Sequence, residues 1–207
     1  MGAVWVLAGP LGSGKSTVAR LFSELGAEHR DADARVRELL EGDPSVAAAV
    51  KEAFGPEALD AQGRPDRQAL ARLVFADEKA RARLEGILHP RVLSILGEEA
   101  ARWRRRKSGL LLLEIVLWMK LDPPPFPVDG VLVTVAARDV LIERAMERDA
   151  CTRAEAEARL AAQEGWENWP EKAGAVLRTD QPFESLREEV ISYYRAWVPS
   201  NEAGPRP

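Results

Sequence analysis

The chain is poor in the residues that build disulfide scaffolds and dedicated metal centres. Among its 207 residues stand one cysteine, Cys151, and two histidines, His29 and His89. A single cysteine excludes an internal disulfide framework, and a metal site would have to draw on other ligands. Cys151 has no histidine near it in sequence and reads as an inert thiol. Long apolar runs are missing too. The richest, Leu110 to Trp118, is interrupted by Glu114, so no segment is expected to cross a membrane. The amino terminus shows no secretory signal pattern, because its first apolar stretch is short and leads straight into a glycine loop. Charge of one sign is not in excess: 29 Lys and Arg stand against 33 Asp and Glu, a net charge of −4, with the signs interspersed. That balance argues against nucleic-acid binding. The one basic run, Arg102-Trp103-Arg104-Arg105-Arg106-Lys107, falls at the end of a helical stretch, where the helix dipole favours cations. Internal repeats and low-complexity blocks are absent as well. What remains, with 46% apolar residues, is expected to be a soluble cytoplasmic protein of one domain with room for a small insertion.

What is present is a phosphate-binding loop. Residues Gly9-Pro10-Leu11-Gly12-Ser13-Gly14-Lys15-Ser16-Thr17 contain the full pattern G-x-x-x-x-G-K-[ST]. The short apolar run Ala3–Ala8 precedes it, as a buried parallel strand should. A helical pattern follows from Ser16 to Leu25 and stops at Gly26. Strand, glycine loop and helix start together aim backbone N–H groups and the positive end of a helix dipole at one point, where phosphate oxygens belong. Lys15 adds a cation for the outer phosphates, and the Ser16 hydroxyl can ligate Mg²⁺. No Asn-Lys-x-Asp segment follows, so guanine-reading switch proteins are disfavoured.

Further strands are expected at 27–31, where the pattern is least marked, and at 110–116, 130–136 and 175–179. Helical patterns separate them, which predicts an α/β fold with a doubly wound, parallel five-stranded sheet. The stretch 32–107 breaks the alternation. It is helical almost throughout, is punctuated by Asp43-Pro44 and Gly63-Arg64-Pro65, and reads as an inserted helical lobe. Asp66 and Asp77 stand where they can cap helices, and Thr152-x-x-Glu155 makes a capping box ahead of a second helical excursion. The polar tail 199–207 is expected to be frayed.

Several acids and arginines stand where chemistry would need them. Asp31 and Asp33 follow the second strand; one can cap the next helix while the other accepts a hydroxyl proton, and the residues alone leave open which does which. Glu114 closes the third strand, as a Mg²⁺ contact or as a local anchor. Arg144 and Arg148 fall at i and i+4 after the fourth strand, where guanidiniums can stabilise a transferring phosphoryl group. Arg153 and Arg159 flank the capped helix. His29 reads as structural, without a visible partner, and His89-Pro90 stands near the end of the helical lobe.

These pieces, taken in order, resemble one family. Gly12-Ser13-Gly14-Lys15-Ser16-Thr17, Asp31-Ala32-Asp33, Asp66-Arg67-x-x-Leu70 with Val74-Phe75-x-Asp77, Leu84-Glu85-x-Ile87-x-His89-Pro90-x-Val92, and Arg159-Leu160-x-x-Gln163 are similar to the dephospho-CoA kinases, which catalyse the last step of coenzyme A biosynthesis. The resemblance runs from residue 3 to about residue 190. It implies a P-loop nucleotide-kinase core (1–31, 108–148 and 173–198), a helical CoA-binding lobe (32–107) and a lid (149–172). It also implies ATP, Mg²⁺ held at Ser16, and phosphorylation of the 3′-hydroxyl of dephospho-CoA. Asp33 then takes the family's catalytic carboxylate position, with Lys15 and Arg148 beside the transferring group. Gly12, Ser13, Gly14, Lys15, Ser16, Thr17 and Arg144 would bind ATP; Asp33, Arg67, His89 and Glu114 would meet the acceptor. The partners expected are these two small molecules, with no nucleic acid and no membrane, and a monomer or weak homo-oligomer. The chain departs from the family pattern at Pro10, at Val116-Leu117-Trp118-Met119-Lys120 where the family reads Pro-Leu-Leu-Phe-Glu, and at Gly174 and Thr179, where it has Asp and Asn. Those departures keep two alternatives in view, a kinase for another nucleotide-like alcohol and a degenerate nucleotide-binding regulator.

Overall fold

The structure, a computed structural model, describes residues 1–163 and 165–198; the expected frayed tail lies outside the described residues. The chain divides into two compact units. One comprises Met1–Arg30 and the chain from Glu99 onward, the other Asp31–Glu98.

The first unit is built on a sheet. Strands β1 (Ala3–Ala8), β2 (Glu28–Asp31), β3 (Leu110–Glu114), β4 (Gly130–Val135) and β5 (Ala175–Arg178) lie in the order β2-β3-β1-β4-β5. β1 pairs in parallel with β3 on one side and β4 on the other, and β4 pairs in parallel with β5. Strands covered on both faces need no polar alternation, which is why Leu110–Leu113 are all buried. One face, carrying Leu7, Leu112, Leu132 and Leu177, packs on helix α1 (Lys15–Glu24) and on the last helix of the chain, Phe183–Trp197. Trp197 closes this side: its ring stacks on Trp5 at 3.7 Å and on Phe22 at 5.5 Å. The opposite face places Ala8 and Val133 against Trp169, from a 3₁₀ segment at Trp166–Lys172. β3 stops at Glu114, two residues short of the expected 116, because the backbone turns into a 3₁₀ segment at Val116–Lys120 that buries Trp118 against Phe126.

The second unit is helical: α2 (Ala32–Gly42), α3 (Pro44–Phe54), α4 (Arg67–Ala76) and the start of α5 (Glu78–Arg104). An aspartate opens each helix. Asp31 accepts from Asp33 N, Asp43 from Ser45 N, Asp66 from Gln68 N and Asp77 from Lys79 N, at 2.8–2.9 Å. Each such bond satisfies an N–H that has no acceptor within its helix and contributes about 1 kcal/mol. Hydrogen bonding from Ser45 holds the Asp43 carboxyl below its usual range. α5 runs through Pro90, which has no N–H for the Gly86 carbonyl. One residue on, the Arg91 guanidinium donates to Ile87 O at 2.6 Å.

The division between the units falls at Glu98/Glu99, within α5. The last turns of α5 belong with the sheet: Glu99 pairs with Arg30 of β2 at 3.2 Å, and a Cβ added at Gly2 would lie 2.6 Å from the Trp103 carbonyl. The remaining helices of the first unit are α6 (Arg138–Asp149), α7 (Arg153–Ala161) and the Phe183–Trp197 helix, α8. Leu141, Ile142 and Ala145 of α6 pack on Ala156 and Leu160 of α7. Among the described residues no helix is long and apolar enough to cross a membrane.

Candidate active site

β1 ends at Ala8 and hands the chain to the glycine loop, which returns through Gly14 into α1. Two glycines are required by geometry. At Gly12 (φ 73°) an added Cβ would lie 2.1 Å from the Leu141 carbonyl oxygen. Gly14 (φ 78°) caps α1 in the left-handed conformation. α1 begins with no side-chain cap and no acid in its first turn, so its positive end is left for an incoming anion.

The loop is pinned by side chains distant in sequence. The buried Ser13 hydroxyl bonds Thr134 Oγ1 at 2.8 Å, and Thr134 Oγ1 donates to Ala8 O at 3.3 Å. Leu11 N donates to Gln163 Oε1 at 2.7 Å. Lys15 Nζ donates to Gly9 O and Pro10 O at 3.0 and 3.1 Å, and Ser13 N also donates to Pro10 O. Pro10, a departure in sequence, serves the loop through its carbonyl, so its missing N–H is not needed for these contacts.

Arg144 and Arg148 share α6 but engage different partners. Arg144 NH1 donates to Thr179 Oγ1 at 2.8 Å and NH2 to Thr179 O at 2.9 Å; Thr179 Oγ1 in turn donates to Ser13 O at 3.0 Å. Arg144 is thereby joined to the loop through one residue. Arg148 forks onto Asp149, Nε to Oδ1 at 2.8 Å and NH2 to Oδ2 at 3.0 Å, and Arg159 shares Asp149 Oδ2. The hydrogen bond between them raises the Arg148 pKa and lowers that of Asp149.

Glu114 ends β3 in register with Leu7 of β1, on the sheet edge from which the loop springs. His29, read from the sequence as structural with no partner visible there, faces it from β2: Nε2 stands 3.3 Å from Glu114 Oε2, ion-pair distance without hydrogen-bond alignment. Neighbouring strands bring together residues far apart in sequence, so this pairing has no local signal.

The second unit carries the other candidates. Asp33 sits exposed in the first turn of α2, and Asp31 is the cap whose side chain receives the Asp33 N–H. The geometry thus separates the two carboxylates that residue order alone left equivalent. Arg67 opens α4, exposed, with Glu41 at 3.7 Å. His89 lies half-buried within α5. Sequence reasoning gave no special weight to Phe75, whose side chain is 96% exposed at the end of α4. A concavity of about 550 Å³ in this unit is lined by Asp43, Lys51 and Arg64 among others.

A family model for dephospho-CoA kinase matches residues 3–184. The chain belongs to the dephospho-CoA kinase family. Curated dephospho-CoA kinases agree in extent: that of Geobacter metallireducens is 36% identical over 94% of this chain and 96% of its own, and that of Anaeromyxobacter dehalogenans 42% identical over 76% and 74%. The crystal structure of TT1252 from Thermus thermophilus superposes with a TM-score of 0.77 at 33% identity, covering 94% of this chain and 97% of that one. The sheet order, the loop and the inserted helices are therefore those of a P-loop kinase of this family.

ATP-using kinases of this kind work with a divalent metal. Among the described residues no group of three or more His, Cys, Asp or Glu could hold one alone. A cation carried by ATP asks for less, since phosphates and water fill most of its shell beside one or two protein oxygens. The exposed Ser16 hydroxyl in the first turn of α1 and the Glu114 carboxylate are hard oxygen donors that fit this requirement.

Proposed function

We propose that the chain transfers the γ-phosphoryl group of ATP to the 3′-hydroxyl of dephospho-CoA, yielding CoA and ADP. The observation that carries this reading is the Gly9–Ser16 loop, opened toward an anion and fixed through Ser13 and Thr179, in a chain of this family. Loop amides and Lys15 hold the β- and γ-phosphates, and Arg144 and Arg148 supply cations on the nucleotide side. Mg²⁺, held at Ser16 and through Glu114, would neutralise charge on the phosphates. Asp33 accepts the proton of the acceptor hydroxyl as the new oxygen–phosphorus bond forms and the bond to ADP breaks. Arg67 and His89 contact the acceptor, the former as a cation for its diphosphate. The segment 149–172 acts as a lid that excludes water from the transferring group. Such an enzyme would work in the cytoplasm on small molecules, as a monomer or weak homo-oligomer.

One observation favours a second reading. The Val116–Lys120 segment departs from the family pattern and presents an exposed Lys120 after the strand bearing Glu114, which would suit an altered acceptor. ATP turnover with and without dephospho-CoA, the product identified by mass, tests both. CoA formation supports the first reading. Turnover on another nucleotide-like alcohol but not on dephospho-CoA supports the second, and ATP binding without turnover on any acceptor leaves only a regulator.

A further inference from the structure

We infer that Thr179 is a positioning residue for the nucleotide: its hydroxyl locks the phosphate loop to Arg144. The inference rests on the reading of Gly9–Ser16 as the ATP site. Thr179 follows β5, is 5% exposed, and stands where three parts of the first unit meet. Its N–H donates to Val135 O at 2.8 Å, which fixes its backbone to the end of β4. Its carbonyl and hydroxyl oxygens together receive the two arms of the Arg144 guanidinium. Its hydroxyl proton goes to Ser13 O at 3.0 Å, with Val135 O more distant at 3.3 Å. Across from it, a Cβ at Gly14 would stand 3.3 Å from the Thr179 side chain, so the loop is seated on this residue.

Two consequences follow from bonding geometry. A hydroxyl has one proton, and here it is spent within the protein, so Thr179 has no donor left with which to read a base. Its action is on the loop. In a trans peptide the C=O and N–H point in opposite directions, so holding Ser13 C=O on Thr179 aims the Gly14 N–H away from Thr179, to the side a phosphate takes. The other end of Ser13 is fixed through Thr134 to Ala8 O. One chain of hydrogen bonds therefore runs from Arg144 through Thr179, Ser13 and Thr134 to β1. It sets the loop in its phosphate-binding geometry before any nucleotide arrives. The sequence shows Thr179 only as a departure from the family's Asn; the structure gives it a task that a hydroxyl of this reach performs.

The test compares Thr179→Val, which keeps the β-branched shape and removes the hydroxyl, with Thr179→Ser, which keeps the hydroxyl. Calorimetry with Mg–ADP, thermal melting and steady-state kinetics are measured on each. Loss of the hydroxyl, which accepts from the charged Arg144 and donates to Ser13 O, predicts ADP binding weakened by about tenfold or more in Thr179→Val. KM for ATP should rise by a similar factor, with kcat and the KM for dephospho-CoA within about twofold of wild type. Thr179→Ser should restore both nucleotide parameters. A folded valine variant with wild-type ADP affinity overturns the inference, whatever its melting temperature. Should the valine variant not fold, the serine variant decides: retained ADP affinity supports the inference, and a loss of about tenfold overturns it. A wild-type chain that binds ADP but forms no CoA strikes the acceptor reading alone, whereas one that binds no ADP removes the ATP site and this inference with it.

Discussion

The two units differ in how far along the chain their polar contacts reach. In the first, Ser13 bonds Thr134 and Thr179, 121 and 166 residues away, and Leu11 bonds Gln163, 152 residues away. In the second, the contacts that start the helices span two residues, from Asp31 to Asp33, Asp43 to Ser45, Asp66 to Gln68 and Asp77 to Lys79. Long-range contacts form only when the whole unit is folded, and they leave the loop one geometry. Local contacts make helices independently and leave Asp33, Arg67 and Phe75 exposed on them. A polyanion that is the same in every turnover suits a preset cradle. A long acceptor with a flexible arm suits exposed side chains on locally built helices. Substitutions in the first unit should therefore move nucleotide parameters, and those in the second should move acceptor parameters with little effect on the nucleotide.

Lys15→Ala should break this division most severely. Its ammonium is held on the loop by Gly9 O and Pro10 O, where the proposed site would receive the outer phosphates. Removing a preorganised charge from a transferring group costs about 10²–10³-fold in kcat, or more. Melting should be nearly unchanged, because the side chain is not part of the apolar core. Turnover and thermal midpoint measured on the same preparation test it, and wild-type-like turnover would falsify the loop's assignment.

Next in size is Asp33→Asn, which should cut kcat by roughly 10²-fold or more, as loss of a general base does. ADP affinity should stay within about twofold, since the change lies outside the loop. Asp31→Ala is its counterpart. As the cap of α2 it should lower stability by about 1 kcal/mol and leave kcat alone. Exchanged phenotypes, with Asp31 essential for turnover and Asp33 for stability, would mean the carboxylates have been given each other's roles.

Much of this was legible in the residues. The G-x-x-x-x-G-K-S run with its strand and helix, the caps at Asp66 and Asp77 and the Thr152–Glu155 box are local patterns, and the structure has them where spacing puts them. The continuous apolar run at Leu110–Leu113 announced a strand buried on both faces. What the sequence hid depends on tertiary neighbours. Arg144 and Arg148 look equivalent four residues apart, yet one finds Thr179 and the other an adjacent acid, Asp149. His29 meets Glu114 only because β2 lies beside β3. The boundary at Glu98 is invisible within a helix that continues past it. Gln163 had its signal in the ordered family motif, but its partner, Leu11 N, did not.

Arg67→Ala sharpens the comparison from the other side. An exposed guanidinium at the start of α4, with its acid neighbour at a loose 3.7 Å, is available for an acceptor diphosphate. KM for dephospho-CoA should rise by about tenfold, the loss of one charge-assisted contact, while KM for ATP stays put. Steady-state kinetics varying each substrate in turn would separate the two. An unchanged acceptor KM with retained turnover would move the acceptor site off this helix.

The smallest effect is expected at the turn from α6 to α7, where the first unit uses a contact of the second unit's kind. The Thr152 backbone N–H and hydroxyl both donate to Glu155, and they hold its carboxyl below the usual range. A carboxyl depressed in the fold stabilises above its unfolded value, about 4.3 for Glu, and that contribution fades as pH falls through the lower folded value. Glu155→Gln should therefore lower the thermal midpoint at pH 7, with a smaller deficit at a second pH acid enough to neutralise the wild-type carboxyl as well. A deficit of equal size at both pH values would show that the ionised carboxylate is not the source. Thr152→Ala, which removes the cap itself, should cost about 1 kcal/mol at pH 7. Because the contact spans three residues, ADP affinity should not respond to either change. If it does, the turn communicates through α7 and Gln163 to Leu11 N, and the local contact is coupled to the long-range one after all.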